Sequence, residues 1–318
     1  MADRHPDYKN EDAILTCCDD PHQRYLGQTD DCGVNLVVRY LEDAVVKFGA
    51  LDEREVENQR LARRILDPKI VRVPEVYHYF KRGRTGYLVM EYIKGTPCKT
   101  LAQPEDIERI AVAVEHVNSH HANGNELGPV NGGDYQGVLW QSEEIEIEDM
   151  DDLEKYFNDR LVRDVAHEAP VCFRKSSVVF VHCNIAQQKI IWCDDGTLAL
   201  LDWAHAGWYP RFFELAALEL IHHPQYSYET DTWDSAHLFF EALAARLKMR
   251  TDEAEQARKV LIAQDAAFAY GILSKDEWMP YPALFPSSSH VEQLDDTDSS
   301  GCELDDPASP CFPSLSVH

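Results

Sequence analysis

The sequence predicts a two-lobed α+β protein, a small β-rich lobe followed by a larger, mainly helical one. Two observations lead there. Between Val34 and Tyr92 the apolar residues are largely β-branched and fall in short runs bounded by turn residues, with one helix-forming stretch among them. From Pro104 onward the apolar period lengthens, and Ile107, Ile110, Val114 and Val117 share one helical face. Gly95, Thr96 and Pro97 stand between the two regimes and mark a hinge.

Each element follows in turn. VNLVVRY and AVVKFG flank Leu41-Glu42-Asp43 and predict a hairpin. Leu51 to Leu66 is rich in helix formers and lacks Gly and Pro, so it predicts a helix. EVYHYFKRGRTGYLVMEY predicts a second hairpin, turning between Gly83 and Gly86. In the larger lobe a core helix is expected over 104–121. An acidic run, EEIEIEDMDD, reads as a solvated surface segment before a second long helix over 151–166. Further helices are expected near 211–221, 233–249 and 252–271, the last capped by Thr251 with Asp252 and Glu253 in its first turn. The organisation is then an N-terminal extension over 1–33, a small lobe over 34–95, a large lobe over 96–285 and a tail over 286–318. That tail is made of Ser, Asp and Pro with isolated apolar side chains, too few to offset the entropy of ordering, and is expected to be disordered.

Composition narrows the classes of function. The 318 residues include 56 acidic and 30 basic side chains, a formal charge of −26. Such a balance argues against a nucleic-acid backbone or an anionic membrane as partner, since both demand a positive face. No run approaches a membrane span and the N-terminus lacks the apolar centre of a secretory signal, so a soluble, cytoplasmic protein is expected. Nine scattered cysteines, an odd number without paired spacing, fit a reducing compartment better than a disulfide framework or a zinc site. His116 and His120 are spaced i, i+4 but have no third ligand in sight, and no Gly-x-Ser-x-Gly elbow supports a hydrolase.

The informative stretch runs from Val178 to Pro210, VVFVHCNIAQQKIIWCDDGTLALLDWAHAGWYP. An apolar strand ends at His182, a polar loop runs from Asn184 to Lys189, and a second apolar hairpin delivers Asp202-Trp203. Asp194-Asp195-Gly196 is the turn of that hairpin. This layout resembles the aminoglycoside phosphotransferase and choline kinase-like family, which has the protein kinase fold and whose loop reads H-G-D-x-x-x-x-N. The resemblance covers roughly Val34 to Leu247. It implies a small-molecule phosphotransferase fold using ATP and Mg, with Lys47 on the nucleotide phosphates, a helical glutamate, best matched by Glu57, paired to it, and Met90-Glu91-Tyr92 reading the adenine edge. It also implies Asp202 as a magnesium ligand, His182 as support for the loop, Asn184 at the position of the base and Lys189 at that of a second metal ligand.

The last two residues depart from the pattern in a way that matters chemically. Asn184 can orient a hydroxyl but cannot take its proton. An ammonium cannot coordinate magnesium and repels it, although lysine can serve as a point charge on phosphate. Lys189 therefore either replaces the metal charge or points to solvent in a vestigial loop, unless the loop is aligned differently. Two functions remain open at this point. One is a catalytically impaired family member that binds nucleotide, with a small-molecule substrate or a protein partner. The other is an active small-molecule O-phosphotransferase, or another transferase, running on a non-standard site.

Overall fold

The computed structural model describes residues 6–29, 35–98, 104–140, 146–164, 170–174, 176–222, 233–247 and 249–272. The tail expected over 286–318 lies outside the described residues.

The small lobe is a five-stranded antiparallel sheet in the order β1-β2-β3-β5-β4, with β1 Tyr25–Thr29, β2 Asn35–Leu41, β3 Ala44–Gly49, β4 Val76–Arg82 and β5 Thr85–Glu91. Both expected hairpins form. Val38 pairs with Val46 across the first, and Arg82 pairs with Thr85 across the second, where Gly83 takes φ +61° in the turn. The sheet starts before Val34, because β1 pairs with β2 from within the stretch expected to be an extension. Helix α1, Glu11–Cys18, also lies in that stretch, capped by Asn10 accepting from Ala13 N. Its Ile14 and Cys18, with Tyr8, cover one face of the sheet against Val38, Val46, Phe80 and Val89.

The other face is covered by α2, Glu53–Ile65. Asp52 caps it by accepting from Arg54 N, acidic residues fill its first turn and Arg63 and Arg64 its last, as the helix dipole favours. Val56 packs on Val76 and Leu88 of the sheet and on Leu51, which precedes the helix. Farther along, Leu61, Ala62 and Leu66 enter the core of the larger lobe beside Ile107, Ile110 and Val114. One helix therefore belongs to two cores, which is what allows it to position a side chain at their junction.

The larger lobe contains α3 Pro104–Asn118, α4 Met150–Asp164, α5 Phe212–His222, α6 Trp233–Arg246 and α7 Thr251–Ile272. Strand β7, Val178–Val181, pairs with β10, Gly207–Pro210. Strands β6 Gly95–Pro97, β8 Ile190–Cys193 and β9 Leu198–Leu200 form a second small sheet, so the expected hinge residues are themselves a strand, paired with the hairpin that leads to Asp202. A second core of Phe157, Phe173, Tyr209, Phe212 and Phe213 packs α4 and α5 together beneath β7 and β10. The loop after β7 is thereby held between two filled cores. Among the described residues no helix is long and apolar enough to cross a membrane.

Candidate functional site

Lys47 projects from β3 into a buried cluster and is only 2% exposed. Its ammonium donates to Glu55 Oε1 at 2.6 Å and to Asp202 Oδ1 at 2.7 Å. The partner carboxylate on α2 is Glu55, not Glu57. Two residues along a helix turn the side chain by about 200°, and Glu57 instead meets Arg60 at 2.6 Å and Asn131 at 3.4 Å. Burial alone would discharge Lys47, but the Asp202 and Glu55 carboxylates outweigh it and hold its pKa above the ordinary lysine value.

Asp202 follows β9 with φ +67°, a left-handed backbone that turns the carboxylate back toward Lys47. Its second oxygen is also taken: Lys189 Nζ lies 3.0 Å from Oδ2, and Asn184 Nδ2 donates to the same atom at 3.4 Å. Lys189 therefore does not point to solvent; its side chain is 13% exposed. Burial opposes the ionised form of Asp202, and the two ammoniums, Lys47 first, override it and hold its pKa well below the carboxylate range. Lys47, Lys189, Asp202 and Glu55 carry formal charges that cancel. A family site with Asp at 184 and Asn at 189 would be two units more negative.

His182 is fully buried and supports the loop through both ring nitrogens. Nε2 donates to Leu201 O at 3.1 Å, and Nδ1 accepts from Asn184 N at 3.2 Å, which fixes the neutral tautomer. Burial, then the nearby Lys189 charge, push its pKa down to about 3. The ring meets Trp203 edge-on at 4.6 Å. Between these residues Cys183 takes φ +53°, at the position where the family pattern has glycine.

Besides Glu55, two site residues escaped the sequence reading. Glu214, buried in α5, accepts from His182 N at 2.7 Å and from Cys183 N at 2.9 Å, clamping the start of the loop. Burial raises its pKa to about 7 against the pull of those two amides. The available signal was a lone carboxylate within the apolar run Phe212-Phe213-Glu214-Leu215-Ala216. His205, three residues after Asp202, has a buried Nδ1 without a hydrogen-bond partner, and burial lowers its pKa to about 4. Gly137, at φ +104°, lies against that ring, where a Cβ would sit 2.8 Å from Nδ1.

Glu91 and Tyr92 are placed at the end of β5, but their amides are already used. Glu91 N donates to Glu75 O at 2.8 Å, and Tyr92 N donates to Asp43 O at 2.8 Å. The Glu91 carboxylate pairs with Arg72 and accepts from Glu75 N, and the Arg39 guanidinium lies 3.4 Å from the Tyr92 ring centroid. Neither amide is open to an adenine edge.

Both oxygens of Asp202 face ammonium groups, Lys47 on Oδ1 and Lys189 on Oδ2, so a magnesium ion at this carboxylate would have to displace one of them. Phosphate oxygens fit better, since Lys47 and Lys189 are the kind of donors they accept.

A five-stranded lobe carrying a buried lysine, a helix carrying its glutamate, and a mainly helical lobe carrying the loop and Asp202 together make a kinase-like protein of the phosphotransferase type. Residues 23–238 match the model of the phosphotransferase enzyme family, well over half of the chain, and the protein belongs to that family. Similar solved structures include a thermostable mutant of aminoglycoside phosphotransferase APH(4)-Ia in apo form, 12% identical with a TM-score of 0.51, covering 82% of this chain and 90% of that one. Another is aminoglycoside phosphotransferase APH(4)-Ia, 12% identical with a TM-score of 0.50, covering 84% and 91%. At that identity the likeness concerns the fold alone. No curated protein sequence matches the chain.

Proposed function

We propose that this protein is a catalytically impaired member of the phosphotransferase family that binds a nucleoside triphosphate with little dependence on magnesium. The observation that carries this reading is the seat of Lys189: its ammonium sits 3.0 Å from Asp202 Oδ2, on the carboxylate that would otherwise hold a metal. Magnesium, when bound in such a site, neutralises phosphate charge. Here Lys47 and Lys189 supply that charge as fixed ammonium groups, and they can move from Asp202 onto phosphate oxygens. Asn184 orients a hydroxyl without accepting its proton. With the base carboxylate absent and no charge surplus to hold a divalent cation, phosphorylation of aminoglycosides or choline-like alcohols is absent or very slow.

Calorimetric titration of ATP, with magnesium and with a chelator, tests both halves when paired with a turnover assay. Affinities within about threefold of each other, without turnover, are expected. Tight binding that vanishes on chelation, or turnover on the order of the ~10 s⁻¹ typical of enzymes, would overturn the proposal and favour an active phosphotransferase with a non-standard site.

A further inference from the structure

A segment of the larger lobe reaches across to α2. It starts at Gly128, which pairs with Trp208 of β10 through two bonds of 2.8 Å, and it enters the aromatic core again at Tyr135. Between these feet Val130 N donates to Asn58 Oδ1 at 3.2 Å, Asn131 Nδ2 donates to Glu57 Oε2 at 3.4 Å, and the Arg54 guanidinium donates to Asp134 O. Arg54, Glu57 and Asn58 share one face of the helix. The tip, Asn131 to Asp134, is exposed and has no apolar side chain to bury, so the bonds that fix it to α2 are polar. Its backbone is left-handed at Asn131, Gly132 and Gly133, with φ of +61°, +76° and +109°.

Arg54 is the attachment that bears on the cleft. Its guanidinium also pairs with Asp52, and its side chain is 13% exposed. Three connections put it beside the charged cluster. Glu55, the next residue, holds Lys47. Asn58, one turn along, donates to the carbonyl of Trp203, directly after Asp202, at 3.0 Å. Gly137, three residues past Asp134, packs on the His205 ring, so that ring lies within three residues of chain, about 11 Å at most, of the carbonyl that Arg54 holds. The electrostatics agree: burial first, then the charges of Lys189, Lys47 and Arg54, keep His205 neutral against the pull of the Asp202 carboxylate.

A triphosphate entering this cleft needs more positive charge than the cluster offers, because Lys47 and Lys189 are balanced there by Asp202 and Glu55. A guanidinium suits the need: it keeps its charge, and its planar fork of donors meets two phosphate oxygens at once. Its present partners can be exchanged. Asp52 has a second task in accepting from Arg54 N as the cap of α2, and Asp134 O sits on the exposed tip. We propose that Arg54 is a third phosphate-binding cation of this cleft, held on Asp52 and the Asp134 carbonyl until a triphosphate draws its guanidinium across. This role rests on the nucleotide reading of the cleft and adds to it the residue that supplies the missing charge.

Calorimetric titration of the full chain with ATP and with AMP, in the presence of a chelator, reads this role. Arg54→Gln is expected to weaken ATP binding about tenfold, the scale of losing hydrogen bonds to a charged group, and to weaken AMP binding much less, because AMP lacks the outer phosphates. Arg54→Lys keeps the charge without the fork and should fall between. Gly133→Ala acts in the opposite direction. Its Cβ would lie 2.7 Å from Arg54 Cδ, so the side chain must leave Asp134 O, and ATP should bind severalfold more tightly than to Gly132→Ala, whose Cβ meets nothing within 4 Å. An unchanged ATP affinity in Arg54→Gln, an equal loss for ATP and AMP, or a Gly133→Ala affinity no higher than that of Gly132→Ala would overturn the role. If the unaltered chain binds no ATP, the nucleotide reading falls and this role with it; if it binds ATP and Arg54→Gln binds it equally well, this role alone falls.

Discussion

Asp202 accepts from two ammonium groups on its two oxygens, and that one carboxylate governs what the cleft can hold. Lys189→Asn vacates Oδ2, and Asn184→Asp adds a second carboxylate beside it. Because both changes act on one cluster, the double variant is expected to gain magnesium affinity and any trace of phosphoryl transfer by more than the product of the single effects. A chelator-sensitive ATP titration and a coupled turnover assay measure it; purely multiplicative single effects would refute the coupling. The choice of partner for Lys47 gives a second contrast. Glu55→Gln leaves a buried ammonium with Asp202 alone and is expected to cost about 3 kcal/mol in urea unfolding, toward the low end of what breaking a buried pair costs. Glu57→Gln removes a partly exposed pair with Arg60 and should cost about 0.5 kcal/mol or less. Equal costs would mean that the Lys47–Glu55 contact does not set the cluster.

Helix α2 shows what was legible at the scale of an element and what was not. Its extent could be read, since helix formers run unbroken from a capping Asp52 to Leu66. The buried face could not, because it carries Glu55, Asn58 and Gln59 beside Val56, Leu61 and Ala62, and a hydrophobic period has little to grip there. Glu55 shares that face with Ala62, one heptad on, whereas Glu57 does not; weighing helical angle rather than residue type would have chosen it. The same difficulty hid α1, whose short apolar set is completed by the sheet it covers, and β1, an edge strand whose Tyr25 and Leu26 are exposed. Asn58 is the fastening of α2 to the larger lobe: Nδ2 donates to Trp203 O at 3.0 Å, and Oδ1 accepts from Val130 N at 3.2 Å. Asn58→Ala leaves Val130 N without its partner while Trp203 O keeps Ala206 N at 3.2 Å, so a loss of about 1 to 2 kcal/mol is expected, together with faster amide exchange at Val130. Stability unchanged within about 0.5 kcal/mol, with exchange at Val130 also unchanged, would show that the Asn58 bonds do not fasten α2.

For the molecule as a whole, the loop that the sequence marked by motif is held by His182, which the sequence also marked, and by Glu214, which it did not, and the buried groups around it make stability depend on pH in a direction that can be worked out. His182 and His205 are held neutral, with pKa values of about 3 and about 4. As pH falls below the ordinary histidine value near 6.5, the unfolded chain binds two protons that the native state refuses, so stability is lost on acidification. Glu214, raised to about 7, works the other way: the native state takes its proton first, which favours folding as pH falls toward the ordinary carboxylate value near 4.5. Each full proton of difference changes stability by about 1.4 kcal/mol per pH unit. The two histidines against Glu214 leave a net loss between pH 6.5 and 4.5, to which His116, lowered by burial, adds and from which Glu55, raised by burial, subtracts. The formal charge of −26 opposes this trend, because acidification relieves repulsion among carboxylates. Salt near 0.5 M shortens that repulsion well below its physiological range and leaves the buried groups much less affected. Urea unfolding across pH 4.5 to 7.5 in such salt should therefore show falling stability toward acid. Glu214→Gln, although less stable at neutral pH for want of one acceptor, should show a steeper fall, since its offsetting proton is gone. A profile that is flat or rises toward acid, or a slope that Glu214→Gln leaves unaltered, would mean that these buried groups do not control the fold around the loop.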